Sequence, residues 1–208
     1  MASATEVKPA RERILDAAAS VMRERGVANT TTKSIASAAG YSEAMLYKHF
    51  ADKQELFLVL LKERLPGVRP RLAAPGWGNL ASNLADIVEQ LMNYYADLFP
   101  MSVSIFSAPE LLVQHREGIA RHGGSGPVGP VRMLTNYLKA EREAGRIAAG
   151  ADTTSAARLL VGIAFHQGFL AAYAGATSVD GAHDLAASAV ATILPGLSRQ
   201  GSGPSRLP

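Results

Sequence analysis

Apolar residues recur at spacings of three and four wherever glycine and proline leave this chain uninterrupted, and no stretch alternates apolar with polar. That regularity restricts the fold to packed helices, so the chain is expected to be all-α. From Arg11, the positions Ile14, Leu15, Ala18, Val21 and Met22 make one face of a helix that ends at Gly26. NTTTKSIASAAG follows, in which Thr30, Thr31 or Thr32 caps a second, short helix that stops at Gly40. Ser42 opens a third helix, read through Phe50. Ala51-Asp52-Lys53 starts a fourth, carrying Leu56, Phe57, Val59, Leu60 and Leu61.

LPGVRPRLAAPGWGN, residues 65–79, holds three prolines and three glycines, which no continuous helix crosses. It predicts a boundary between a domain at 10–65 and a larger one at 66–196, with disordered tails at 1–9 and 197–208. Trp77 is expected to plug the junction. Beyond it, Leu80, Leu84, Ile87, Val88, Leu91, Met92, Tyr95 and Phe99 make a broad face on a helix at 79–98. A shorter helix around 109–118, a glycine-rich loop at 122–130 and three helices at 130–145, 153–174 and 181–194 complete the reading.

Several classes of chemistry are excluded by what is missing. Without cysteine there is no disulfide framework, thiolate metal site or cysteine nucleophile, which suits a reducing cytoplasm. No run approaches the roughly 20 apolar residues of a membrane span, so no membrane partner is expected. GGSG at 123–126 is placed like a nucleophile elbow, but Pro127 replaces its last glycine and no strand precedes it. His115, His122, His166 and His183 lack metal-ligand spacing, and no phosphate-binding fingerprint occurs. No catalytic set, metal or cofactor is therefore expected. The net charge of +3, spread almost evenly over the two domains, permits polyanion binding without demanding it.

Two short helices meeting at Ala39-Gly40 have the form of a helix-turn-helix. Ala36 is small where the helices approach, Gly40 suits a turn of positive φ, and Ile35, Ala39 and Leu46 fix the crossing. The second helix would then enter a major groove with Ser42 to His49 as its reading surface. Glu43, Ala44, Met45, Lys48 and His49 are left facing outward. Methyl and thioether groups suit thymine methyls, and Lys48 and His49 can donate to phosphate or guanine. The Tyr47 hydroxyl can reach a phosphate, and Lys53 sits at a helix N-terminus that favours an anion. Plainer readings stand beside these: Tyr47 and Phe50 as core aromatics, Lys48 and Lys53 as solvated lysines. Lys8, Arg11 and Arg13 form either a DNA-reaching arm or a solvated basic end.

RERILDAAASVMRERGVANTTTKSIASAAGYSEAMLYKHFADKQELF, residues 11–57, resembles the N-terminal DNA-binding domain of TetR-family transcriptional regulators. The resemblance implies phosphate contacts among Thr31 or Thr32, Lys33, Ser42, Tyr47, His49 and Lys53, with Glu43, Ala44, Met45 and Lys48 nearer the bases. Tyr41 and Glu43 depart from the commoner family residues. An acidic group at 43 is repelled by phosphate but accepts from cytosine N4, which would alter the preferred operator.

The resemblance further implies a homodimer on a double-stranded, near-palindromic operator, most often a repressor, released by a small hydrophobic or amphipathic effector. Met92, Tyr95, Phe99, Phe106, Leu111, Met133, Tyr137, Phe165, His166 and Phe169 are the candidate cavity lining, or equally the core of a helical bundle. His166 is either a ligand donor or a satisfied histidine. Leu159, Leu160, Ile163, Leu170, Leu185, Val190 and Ile193 give the last two helices more apolar surface than one surface helix needs, and the family pairs these helices in its dimer. The other class of reading is a helical small-molecule-binding protein or enzyme with a merely structural N-terminal bundle.

Overall fold

A computed structural model describes residues 8–64, 73–107 and 109–198. Most of both expected tails and of the proline-rich stretch lies outside the described residues. The described residues contain helices and no strand. They fall into two compact units, one of 8–64 with 98–107 and 109–124, the other of 73–97 with 125–198.

The first unit holds α1 (Ala10–Arg25), α2 (Thr32–Ala39), α3 (Glu43–Tyr47), α4 (Lys53–Glu63), a 3₁₀ turn at Val103–Ser107 and α6 (Pro109–Arg121). Ile14, Leu15, Met22, Ile35, Leu46, Phe50, Leu56, Phe57 and Leu60 close its core, each at 2% exposure or less. Polar ties brace it. Arg11 donates twice to the Glu63 carboxylate, at 2.7 and 2.8 Å, and lies over the Phe50 ring. Arg13 donates to the Ala39 carbonyl at 3.0 Å and lies over Tyr41. Lys8 and Arg64 both hold Asp16, each at 2.9 Å. The basic N-terminal residues thus fasten α1 to its neighbours.

Asp16 titrates below its ordinary value of 3.8 because it accepts hydrogen bonds from Lys8 and then Arg64. A depressed folded pKa adds stability that is present above the unfolded value and lost as pH falls through the folded one. Asp16→Asn is therefore expected to flatten the acid side of the stability curve below about pH 4, measured by urea unfolding across pH. Asp16 is partly exposed, so the gain is small and shrinks further with salt.

The second unit holds the larger part of α5 (Leu80–Ser102), α7 (Gly129–Glu143), α8 (Thr153–Tyr173) and α9 (Ala182–Ser198), with α8 packed on both α7 and α9. Its core gathers Leu84, Ile87, Val88, Leu91, Met92, Leu134, Leu138, Leu160 and Ala164. Glu141, fully buried, accepts from Arg146 Nε and from the Gly76 backbone, both at 3.1 Å. Asn83 donates to the Trp77 carbonyl at 2.8 Å. Trp77 is pinned by its backbone while the residue stands 74% exposed within its own unit.

Three helices differ from the sequence reading. α5 runs on through Pro100 to Ser102, since one missing N–H bond is offset where the flanking turns are packed by buried Ala96 and Met101. α9 likewise continues through Pro195, held by buried Leu197, whose carbonyl accepts from the Ala148 N–H at 2.9 Å. α3 stops at Tyr47 instead of Phe50, because buried Phe50 draws the chain inward after one helical turn. α8 is also long and apolar enough by composition to cross a membrane, at mean hydropathy 1.2, which the sequence reading did not anticipate. Ala156, Ala157, Leu160, Val161, Ala164 and Gly168 give it a buried face inside the second unit.

Candidate nucleic-acid interface

The α2–α3 corner is built by local hydrogen bonding. Thr31 is the cap that forms: its hydroxyl accepts from the Ser34 N–H at 3.1 Å, and the Ser34 hydroxyl accepts in return from the Thr31 N–H. Thr30 is buried and donates to the Gly26 carbonyl at 2.8 Å. Gly40 takes the left-handed conformation, φ 75°, which lets its N–H reach Ser37 and the Tyr41 N–H reach Ala36. Ser42 then caps α3 by accepting from Met45 N–H at 3.3 Å. Leu46, wholly buried, anchors the short helix against α2.

Once Leu46 and Phe50 are turned inward, the rest of the segment faces outward. Ser42, Ala44, Tyr47, Lys48 and His49 are exposed, as is Lys33 on α2, and Met45 is half-buried. Two short side chains, a phenol, an ammonium and an imidazole thus share one end of the first unit.

Besides the capping Thr31 and Ser42, three further expected contact residues are engaged within the unit. Thr32 donates to the Glu43 carboxylate and lies 3.3 Å from the Tyr47 hydroxyl. Glu43 is therefore turned toward α2, with one carboxylate oxygen taken by Thr32. Lys53 is half-buried, and its ammonium donates to the carbonyls of Val27 and Thr30, both at 3.0 Å. Burial lowers its pKa. Sequence spacing gave no sign of these ties, because each joins side chains from different helices or a side chain to a distant turn.

Lys53→Met, which keeps the stem and removes the ammonium, is expected to cost about 2 kcal/mol in urea unfolding by leaving two carbonyls without their donor. A lysine serving phosphate alone would leave stability unchanged and lower the salt slope of DNA binding by about one unit.

A model of the family described as bacterial regulatory proteins, tetR family, matches residues 14–60, the span that forms this corner and the helices bracing it. Over 161 residues the chain is 29% identical to the uncharacterized HTH-type transcriptional regulator YvkB of Bacillus subtilis, covering 72% of this chain and 77% of that protein. The chain belongs to the TetR family of transcriptional regulators. It is also 24% identical over 178 residues to the HTH-type transcriptional repressor AcnR of Corynebacterium efficiens, covering 77% of this chain and 94% of the other. Among solved structures it shares its fold with SmeT, the repressor of the Stenotrophomonas maltophilia multidrug efflux pump SmeDEF. The TM-score is 0.59 at 23% identity, over 95% of this chain and 97% of that one. SmeT has also been solved in complex with triclosan.

In this TetR-family chain the residues read as cavity lining are divided between the units. Phe99, Phe106 and Leu111 belong to the first, and Phe106 is 71% exposed. Met92, Tyr95 and Tyr137 are buried in the second, Met133 is half-buried, and Phe165, His166 and Phe169 are exposed along α8. Burial pushes the Tyr95 and Tyr137 hydroxyls up to about 12. Tyr137 accepts from Asn83 at 3.2 Å.

The interface set also separates. Leu160 and Val190 are buried within the chain and have no surface for a partner, Ile163 and Ile193 are half-buried, and Leu159, Leu170 and Leu185 are exposed. Tyr173, which the sequence reading omitted, extends the exposed row of α8. Counting turns of 3.6 residues from Leu159 would have found it.

Proposed function

We propose that this regulator is a homodimeric repressor, acting on a near-palindromic operator and released by a small apolar or amphipathic effector held in its second unit. The observation that carries the DNA-reading part is the segment 42–50: a capped helix fastened by buried Leu46 and Phe50, with Ala44, Tyr47, Lys48 and His49 left exposed. In a helix-turn-helix the residues so exposed are the ones that meet base edges and phosphates. Lys33, Lys48, His49, Ser42 and Tyr47 have the donors for phosphate, while Ala44 and Met45 offer methyl and thioether contact to thymine. Thr31 by capping α2, and Thr32, Glu43 and Lys53 by their ties within the unit, fix the shape of this surface.

Dimerisation is supported by the row Leu159, Phe165, Phe169, Leu170 and Tyr173 on α8, with Leu185 on α9, all exposed in the single chain. An apolar row of this length on one helix favours burial against a second copy, which presents the same row by two-fold symmetry. The effector is supported by the likeness to SmeT and by the buried aromatic and thioether groups of the second unit. Release would be a population shift, with the effector preferring a state that no longer fits both half-sites, by a coupling of ~1–3 kcal/mol.

Selection of random duplexes by the purified protein at fixed salt tests this reading. The expected result is an enriched palindrome with half-sites about one helical turn apart. Salt-sensitive binding without sequence preference would contradict it and favour the helical binding-protein or enzyme alternative.

A further inference from the structure

We infer that Asp86, Glu89 and His183 form a binding site for a divalent transition-metal ion of the zinc(II) type, joining α5 to α9. Asp86 and Glu89 stand three residues apart on α5 and so share one face of it. His183, the second residue of α9, meets them from 94 residues beyond Glu89, a separation at which no ligand spacing is legible in the sequence. One donor atom from each residue lies within 4.8 Å of the other two. The pair His183 Nδ1 and Glu89 Oε2, at 3.0 Å, is already at the separation of two ligands on one small ion. Donors on a common zinc sit about 2.0–2.2 Å from it, hence at most ~4.4 Å apart. A small rotation of the exposed Asp86 side chain brings the third within that limit.

The donor set selects the ion. An imidazole with two carboxylates suits zinc, nickel or copper, whereas magnesium and calcium take oxygen ligands. Three protein donors leave the remaining positions to water. The backbone already holds the arrangement: the Val179 N–H, in the α8–α9 connection, donates to Asn93 Oδ1 on α5 at 2.9 Å, one turn beyond Glu89. The local field is negative, since Asp86 and Glu89 face His183 and Asp184 adjoins it in the chain.

Calorimetric titration of the full-length, metal-stripped protein with zinc chloride near neutral pH tests the site. The expected result is one saturable site per chain and a melting temperature that rises with zinc concentration. His183→Ala and Asp86→Asn should each weaken binding by roughly 10–100-fold. All three side chains are exposed or half-exposed, and Asp86→Asn leaves the His183–Glu89 pair intact, so zinc-free melting of that variant should match the parent. Cobalt(II) in place of zinc should give a visible absorbance that both variants lose. Absence of saturable binding, or binding of unchanged stoichiometry and affinity in both variants, would overturn the assignment.

Discussion

Gly168→Val should destabilise the protein by about 3 kcal/mol, lowering its melting temperature by roughly 10 °C, because α8 and α5 meet there without room for a side chain. A Cβ at 168 would stand 2.9 Å from both the Ala96 nitrogen and the Met92 carbonyl oxygen, and closer still to the Tyr95 side chain. These are backbone atoms of a long helix, which cannot step aside as the tip of a flexible side chain can. The surrounding residues, Met92, Tyr95, Ala96 and Ala164, are all buried, so the strain would spread through the core of the second unit. Gly162 on the same helix shows the contrast: a Cβ there meets nothing within 4 Å in the single chain. Thermal and urea unfolding of Gly168→Val measure the effect. A melting temperature within a few degrees of the parent would mean that α5 and α8 are farther apart than described.

Charging the exposed row of α8 should have the largest effect on function. In the double variant Leu159→Glu/Phe169→Glu, two carboxylates replace apolar groups that are 62% and 45% exposed in the single chain, so the fold itself should tolerate them. A symmetric partner would bring four carboxylates together in a desolvated interface, where unpaired charge is strongly disfavoured. The proposed dimer should give way to monomers by sedimentation, with helical content retained. Operator affinity should fall by about 10²–10⁴-fold, the advantage that linking two reading heads confers. A variant that stays dimeric would place the interface elsewhere on the chain.

The sequence disclosed different parts of this molecule unequally. Helical period, caps and glycine stops are local, so α1, α2 and the Ala39-Gly40 corner were readable with nearly the right bounds. Where the reading slipped, a tertiary contact overrode the local signal: Phe50 turning inward shortened α3, and Leu197 docking near Ala148 carried α9 through Pro195. Within the α2–α3 corner, exposure at Ala44, Lys48 and His49 followed from the helix-turn-helix pattern, while Tyr47 had stood open as a core aromatic and Met45, expected outward, is half-buried. The engagement of Lys53 by two carbonyls and of Glu43 by Thr32 did not, because those partners belong to other elements. Apolar character alone also failed to sort Leu160 from Leu159, one buried and its neighbour exposed, since both belong to a helix that is rich in alanine and leucine on every side.

The most direct test of the account is the affinity of Ala44→Glu for the palindrome that selection enriches, measured beside the parent protein by fluorescence anisotropy at one salt concentration. Ala44 is exposed in the first turn of α3, where a carboxylate suits the helix dipole, so the variant should fold as the parent does. If residues 42–50 face the bases, that carboxylate meets the groove and its phosphates, and affinity should fall by about 100-fold or more, equivalent to ~3 kcal/mol. Unchanged affinity in a normally folded variant would contradict the assignment of this segment as the reading surface.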